Sequence, residues 1–343
     1  MQEYGDDGAN LVASHGSGPL LYSHLDTSLD GSGRDALVTG RGDPVGPLRV
    51  GPATVSGFGL GVARAPAAVA LAAFADARQG SLLLAGSGTH RRGSAPTGVQ
   101  AYLAAYGPPA EAVVAKCGPR SPLWEEPGAA YLTVRVTGGR SGAALAPASA
   151  DPEGGVLPHA GVVLGAAVAW RDRYVADRSA RPAAGQVGAA CGIGALAGGW
   201  PDKPDLLPAS LELSLYVVTV PGEDVTALAA DLAGEVRDAC AGGPLASCAV
   251  AVDAEVVSPA AGTRVDAPVV AAARAAWARE FGEPEPVTRW MGSTDGVVLR
   301  AAGADTVRLG PSARVAADDP RRDELALTEL AAFRRIYRGL LDR

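Results

Sequence analysis

Lysine is almost absent from this chain of 343 residues, since Lys116 and Lys203 are the only two. Arginine carries nearly all of the positive charge, and the formal net charge at pH 7 is −7. No basic stripe is evident, and nucleic-acid binding depends on clustered cations that neutralise phosphates. We therefore expect no nucleic-acid partner.

Long hydrophobic runs and closely paired cysteines are also lacking. No stretch of about 18 apolar residues could span a bilayer, so we expect no membrane partner. The opening segment MQEYGDDGANLVASHG has neither the basic start nor the apolar stretch of a signal peptide. The 4 cysteines show no CxxC spacing, which favours reduced thiols over a disulfide frame or a zinc cage. These absences together predict a cytoplasmic protein.

Apolar runs that are typical of strands alternate with alanine-rich runs that are typical of helices. With 48% hydrophobic and 20% charged residues the composition is that of a globular protein. The predicted elements of this first part are strands at Pro19–Ser23, Ser81–Ala85 and Ala112–Lys116, and helices at Pro66–Arg78 and Gly98–Tyr106. Such alternation predicts βα units and a mainly parallel sheet.

A different order of elements begins near residue 130. It comprises a strand at Tyr131–Thr137, a helix at Gly161–Asp177, strands at Val187–Ala195 and Leu211–Thr219, a helix at Val225–Cys240 and a strand at Cys248–Val256. This β-α-β-β-α-β order is that of the ferredoxin-like split unit. After it the α/β pattern resumes and closes with a predicted helix at Glu324–Leu341. We predict an α/β core domain over residues 1–128 and 258–343, with an inserted ferredoxin-like α+β lid domain over 129–257.

Four segments, in this order along the chain, carry a resemblance to a known family. They are LLYSHLDT (Leu20–Thr27), GFGLGVARAP (Gly57–Pro66), GGWPDKPDLLPASLELSLYVVTVPGED (Gly198–Asp224) and GSTDGVVLRAAGADTVRLGPS (Gly292–Ser312). The ordered set resembles the M20 metallopeptidases, and within them the group of acetylornithine deacetylase, succinyl-diaminopimelate desuccinylase and carrier-protein-lysine hydrolase. The resemblance implies the M20-like fold, a mainly parallel core with an inserted lid.

The same resemblance implies a site for two zinc ions, and most of its positions are altered here. His24 matches the position of a metal-binding histidine, and Asp26 matches the aspartate that orients it. The remaining positions fall on Val62 for the bridging aspartate, near His90 and Arg91 for a glutamate pair, near Cys117 for a further carboxylate and near Ala317 for the last histidine. Valine and alanine cannot bind a metal, and arginine would repel one. We therefore predict the fold and the pocket without a metal or another cofactor.

The candidate site residues follow from that pocket position. We predict His24, Asp26 and Asp295 as catalytic residues, with Thr89, His90, Arg91, Arg92, Ser293 and Thr294 as substrate-binding residues. Three alternatives stay open. The His24–Asp26 pair could be a relic that only hydrogen-bonds in the core, the arginine pair could lie in a solvated loop, and residues 293–295 could form a turn or a helix cap.

A pocket that has lost carboxylates and gained arginines favours anions over metals. Without a metal to activate water, a reaction whose nucleophile lies within the substrate becomes the natural hypothesis. We expect an amine to close onto a carbon that bears a sulfate or phosphate leaving group. The resemblance implies an amino-acid-derived substrate, either free or tethered to a small acidic carrier protein. A non-catalytic scaffold and a residual amide hydrolase remain alternatives.

The N-terminal part also departs from the family pattern. M20 members carry a first helix before the strand that ends in HxD, whereas this chain reaches that strand almost at once. The missing helix would leave apolar sheet surface, so we expect a second protein subunit to cover the N-terminal strand. The histidine that the family sends across its dimer falls near Gly142, so we expect no family-type homodimer site.

Overall fold

The computed structural model describes residues 1–6, 8–27, 40, 43, 45–88, 96–179 and 185–343. Its strands are β1 (Gln2–Tyr4), β2 (Gly8–Ser14), β3 (Leu20–His24), β4 (Arg49–Val50), β5 (Thr54–Phe58), β6 (Ser81–Ala85), β7 (Glu111–Ala115), β8 (Glu125–Glu126), β9 (Gly128–Thr137), β10 (Gly142–Ala143), β11 (Ala190–Gly198), β12 (Leu206–Leu207), β13 (Ser210–Thr219), β14 (Ala249–Ser258), β15 (Ala261–Gly262), β16 (Asp305–Leu309), β17 (Arg314–Val315) and β18 (Arg322–Ala326). Its α-helices are α1 (Ala65–Asp76), α2 (Gly98–Tyr106), α3 (Ala160–Ser179), α4 (Val225–Ala241), α5 (Pro268–Phe281), α6 (Gly296–Ala301) and α7 (Leu327–Leu341).

The chain divides into two compact units. The first unit comprises Met1–Glu126, Ala261–Val287 and Gly292–Arg343, and the second comprises Pro127–Ala260 and Thr288–Met291. No helix in the described part of the chain combines the length and the apolar character that crossing a membrane requires.

A six-stranded sheet forms the centre of the first unit, in the order β1-β2-β6-β3-β7-β16. Strands β6, β3, β7 and β16 run parallel, while β1 and β2 form an antiparallel hairpin that joins the sheet at β6. Helices α1, α5 and α7 contribute to the core on one face, and α2 and α6 contribute to the core on the other. Every residue of β3 is buried, as expected for a parallel strand covered on both faces. The hairpin was not predicted from the sequence.

A smaller antiparallel sheet, in the order β17-β18-β5-β4, corrects one prediction. The closing helix was expected from Glu324, but residues 322–326 form β18 and the helix α7 begins at Leu327. Pairing of β18 with β5 overrides the helical pattern there. The guanidinium of Arg322, only 1% exposed, secures this strand by donating to the carbonyl oxygens of Gly46, Pro47 and Ser56.

The second unit has a four-stranded antiparallel sheet in the order β11-β13-β9-β14. Along β9, Leu132, Val134 and Val136 are buried, whereas the side chains between them are partly exposed. That alternation indicates a sheet with one covered face, and α3 and α4 share its hydrophobic core. The elements β9, α3, β11, β13, α4 and β14 follow the predicted β-α-β-β-α-β order.

Candidate functional site

The carboxyl ends of three parallel strands meet at one edge of the core sheet. Strand β3 ends at His24, which pairs in register with Ala85 at the end of β6. Tyr22 pairs with Val114 in β7. Two residues further along each chain segment, Lys116, which follows the end of β7, therefore lies beside His24. In open α/β sheets, ligands bind at the carboxyl ends of the strands. This edge is therefore the candidate site.

The structure brings His24 and Asp26 together. His24 is 1% exposed, and its Nδ1 lies 3.0 Å from Oδ1 and 3.1 Å from the backbone oxygen of Asp26. The same Oδ1 accepts a hydrogen bond of 2.9 Å from the backbone N–H of Gly88. The carboxylate thus orients the imidazole ring and ties it to the end of the segment that follows β6.

Asp295 lies immediately before α6, and its side chain makes no cap hydrogen bond to that helix. Its Oδ2 instead accepts a hydrogen bond from the hydroxyl of Tyr22, and both residues are buried. Burial, followed by the negative charge of Asp295, raises the pKa of Tyr22 well above its ordinary value, so this hydroxyl stays a proton donor. Asp295 thus occupies the N-cap position of α6, while its carboxylate accepts the Tyr22 hydroxyl rather than a backbone N–H of that helix.

Thr294 and Ser293 occupy the turn before Asp295. The Thr294 hydroxyl donates to Oε1 of Glu126 and accepts a 3.0 Å hydrogen bond from the backbone N–H of Gly296. Thr294 therefore fixes the turn that carries Asp295, while Ser293 is half-buried. Substrate binding by these two residues stays a prediction.

A buried ion network, which the sequence analysis missed, supports this turn. Glu126 is 0% exposed, its Oε2 lies 2.5 Å from Nη1 of Arg300, and its Oε1 lies 3.6 Å from Nη1 of Arg308. Arg300 also donates to the carbonyl oxygen of Thr306 at 2.9 Å. The sequence signal for this network was an arginine within an apolar helix, Arg300 in α6, and another within an apolar strand, Arg308 in β16.

Lys116 is a further residue that the sequence analysis missed as a candidate. It is half-buried, and burial, followed by the positive charge of Arg308, lowers its pKa to about 8 even though Asp295, Glu126 and Asp26 act in the opposite direction. The neighbouring Cys117 thiol is no nucleophile, because burial raises its pKa to about 12. A lysine directly after a buried strand, in a chain with two lysines, was the available signal.

Four of the predicted substrate-binding residues lie outside the described residues, namely Thr89, His90, Arg91 and Arg92. Their predicted role in binding substrate stays a prediction. The described chain reaches Gly88, which contacts Asp26, so the segment begins directly after a residue of the candidate site.

The described side chains do not fit the zinc pair that the family resemblance implies. Nowhere in the described ranges do three or more His, Cys, Asp or Glu side chains form a group that could hold a metal ion. Zinc requires three or four such donors, and beside His24 and Asp26 the end of β7 supplies Lys116 instead.

Comparison with known proteins supports the fold. No family model and no curated protein matches this sequence. Among solved structures, the chain resembles the aminopeptidase PepT of Bacillus cereus ATCC 10987, with 14% identity, a TM-score of 0.64 and coverage of 97% of this chain and 84% of that one. It also resembles the M20 family metallo-carboxypeptidase Sso-CP2 of Sulfolobus solfataricus, with 13% identity, a TM-score of 0.63 and coverage of 97% and 87%. The di-peptidase Dug1p of Saccharomyces cerevisiae gives 15% identity, a TM-score of 0.60 and coverage of 97% and 82%.

Identities this low establish the fold and leave the activity open. The predicted fold class is confirmed, whereas the narrower subgroup within the family stays a prediction. The chain has the M20 peptidase-like α/β fold, with a mixed sheet in its core.

Proposed function

We propose that this chain is a metal-independent biosynthetic enzyme that closes a substrate amine onto a carbon bearing a sulfate or phosphate group. The observation that carries the proposal is the set of acid–base groups at the end of β3. His24 is hydrogen-bonded to Asp26, and Asp295 accepts the hydroxyl of Tyr22. Tyr22 precedes His24 by two residues and therefore lies on the same face of β3. A site that keeps such groups, and whose described residues form no metal-binding cluster, favours proton transfer as its chemistry.

The reaction needs no water and no metal. A base takes a proton from the substrate ammonium, and the freed nitrogen lone pair attacks the carbon that bears the ester oxygen. The C–N bond forms as the C–O bond breaks, and sulfate or phosphate leaves with the bonding electron pair. The enzyme accelerates this reaction by holding the substrate amine in line with the carbon–oxygen bond that breaks.

The loop after β6 is the proposed binding site for the leaving group. Thr89, His90, Arg91 and Arg92 follow directly after Gly88, which donates to Asp26. Guanidinium groups form paired hydrogen bonds with sulfate and phosphate oxygens and stabilise the negative charge that develops there. This loop would therefore recognise the anionic group, while His24 and Asp295 face the amine.

The substrate is proposed to be an amino-acid derivative, free or tethered to a small acidic carrier protein. The solved structures that this chain resembles are described as an aminopeptidase, a metallo-carboxypeptidase and a di-peptidase. That likeness supports the substrate class and leaves the side chain of the amino acid open.

Release of the leaving group tests the proposal. The purified chain is incubated with amino-acid derivatives that carry a free amine and an O-sulfate or O-phosphate ester, with and without a chelator. We expect inorganic sulfate or phosphate together with a product lighter by that acid, at a rate that the chelator does not change. Two tightly bound zinc ions per chain, with activity lost on chelation, would overturn the proposal.

A binding measurement isolates the role of the loop. Arg91→Ala should weaken binding of the same esters several-fold or more by isothermal titration. Arg334→Ala is the matched control, since Arg334 lies on α7 and pairs with Asp76 on the surface. Equal binding by both variants would refute the anion site and favour the scaffold alternative.

A further inference from the structure

Lys116 is a half-buried amine at the candidate site that neither the sequence motifs nor the family resemblance assigns to any role. We propose that the Lys116 amine is the base that takes the proton from the substrate ammonium. This inference rests on the proposed function and names the group that starts the reaction. Its support comes from the position, the surroundings and the availability of the amine.

Lys116 directly follows β7, which lies between β3 and β16 in the core sheet. Its N–H lies 3.4 Å from the carbonyl oxygen of Leu309 at the end of β16, on one side of β7. On the other side β7 pairs with β3, and the register of Tyr22 with Val114 places Lys116 beside His24 two residues later. Because side chains alternate along a strand, Lys116 shares the face of Val114, Tyr22 and His24.

Charged groups from four parts of the chain influence the pKa of the Lys116 amine. Asp26 follows β3, Asp295 precedes α6, Glu126 belongs to β8 and Arg308 belongs to β16, and each acts electrostatically on Lys116. Burial and Arg308 outweigh the three carboxylates, so the pKa of Lys116 lies near 8. About half of the side chains are then unprotonated at pH 8.

The amine is also available for a proton. The structure gives the Lys116 side chain no hydrogen bond or ion pair with any of the described residues. Asp295, in contrast, already accepts the Tyr22 hydroxyl. A carboxylate is in general too weak a base to take a proton from an ammonium group efficiently. An amine whose pKa lies near the working pH is a better base for that proton transfer.

The step balances with Lys116 in this role. The Nζ lone pair accepts one proton from the substrate ammonium and becomes an ammonium itself. The substrate nitrogen then attacks carbon and the ester oxygen leaves, as described above. Loss of the Lys116 proton to water after product release restores the free amine.

The presence of only two lysines makes a direct test possible. Reductive methylation with ¹³C-formaldehyde labels both lysines and the N-terminal amine of the full chain, whose ordinary pKa is also about 8, and carbon–proton NMR follows each resonance with pH. Lys203, whose side chain is 63% exposed, serves as the reference, and the loss of one signal in Lys203→Arg and of another in Lys116→Met assigns both lysines. We expect the Lys116 resonance to titrate near pH 8, and Asp295→Asn to move that midpoint to lower pH because a negative charge is removed. A Lys116 midpoint at pH 10 or above would overturn the inference.

Kinetic measurements on Lys116 variants distinguish a role in proton transfer from a role as a positive charge. With a sulfate or phosphate ester that the wild type converts, Lys116→Met should lower kcat at least about 100-fold, as expected for loss of a catalytic base. Lys116→Arg, which keeps a permanent cation, should be equally impaired, and Lys203→Arg should behave as the wild type. The wild-type rate should rise with pH through a midpoint near 8.

The outcomes distinguish this inference from the proposed function. Activity retained by Lys116→Arg would mean that only the positive charge of residue 116 is needed. That result would overturn the inference, while the cyclisation proposal would stand. Absence of sulfate and phosphate release by the wild type from every ester would overturn both, whatever the NMR midpoint of Lys116.

Discussion

Removing the charge of Glu126 is the sharpest test of how the candidate site is supported. Glu126→Gln changes the side chain by one atom and keeps its shape. The carboxylate faces two guanidinium groups, with Oε2 at 2.5 Å from Arg300 and Oε1 at 3.6 Å from Arg308, and it also accepts the Thr294 hydroxyl. The variant would leave two buried cations without their counter-charge.

The expected loss of stability is large because nothing in the network reaches solvent. The side chains of Glu126, Arg300 and Arg308 are 0%, 3% and 4% exposed. Breaking a buried ion pair by removing one partner costs about 3–5 kcal/mol, since the remaining charge is left uncompensated. We expect the free energy of unfolding of Glu126→Gln to fall by that amount.

Urea unfolding, followed by circular dichroism and tryptophan fluorescence, measures the change. Glu285→Gln is the matched control, because Glu285 pairs with Arg120 at 3.3 Å while both side chains are more than half exposed. That variant should lose less than about 1 kcal/mol. A Glu126→Gln loss that is no larger than the Glu285→Gln loss would refute the electrostatic account of the network.

Three further changes test other parts of the structure. Lys116→Met should stabilise the chain at pH 7 by up to about 3 kcal/mol, since the lowered pKa of Lys116 costs stability below pH 8. The gain should vanish as the pH approaches 10.5, the ordinary value at which the unfolded chain also loses this proton, and melting temperatures at pH 7 and pH 10 measure it. Tyr22→Phe should cost about 1–3 kcal/mol in urea unfolding, because the buried Asp295 loses a donor. Arg322→Met should cost about 3 kcal/mol by thermal unfolding, because three backbone oxygens lose their donor, whereas the exposed Arg314→Met should cost almost nothing.

Local patterns in the sequence were enough for most of the fold. The apolar runs of β3, β6 and β7 predicted buried parallel strands, because a strand that is covered on both faces needs no polar alternation. The element order that begins with β9 is the predicted β-α-β-β-α-β order, whereas the alternation of buried and partly exposed side chains along β9 is a finding of the structure. His24 and Asp26 are two residues apart at a strand end, so their hydrogen bond was also within reach of the sequence.

The remaining features depend on partners that are distant in the chain. Residues 324–326 follow a helical pattern, yet pairing with β5 draws them into a strand. Tyr22 meets Asp295 across 273 residues, and Glu126 meets Arg300 across 174 residues. Lys116 is an unremarkable lysine in the sequence until the register of β7 and the burial around it place it beside His24. The sequence by itself determined the parallel strands of the core sheet, the main helices and the element order of the second unit. Only the tertiary structure decided which charges are buried together, because strand register and packing, rather than any local period, bring those side chains into contact.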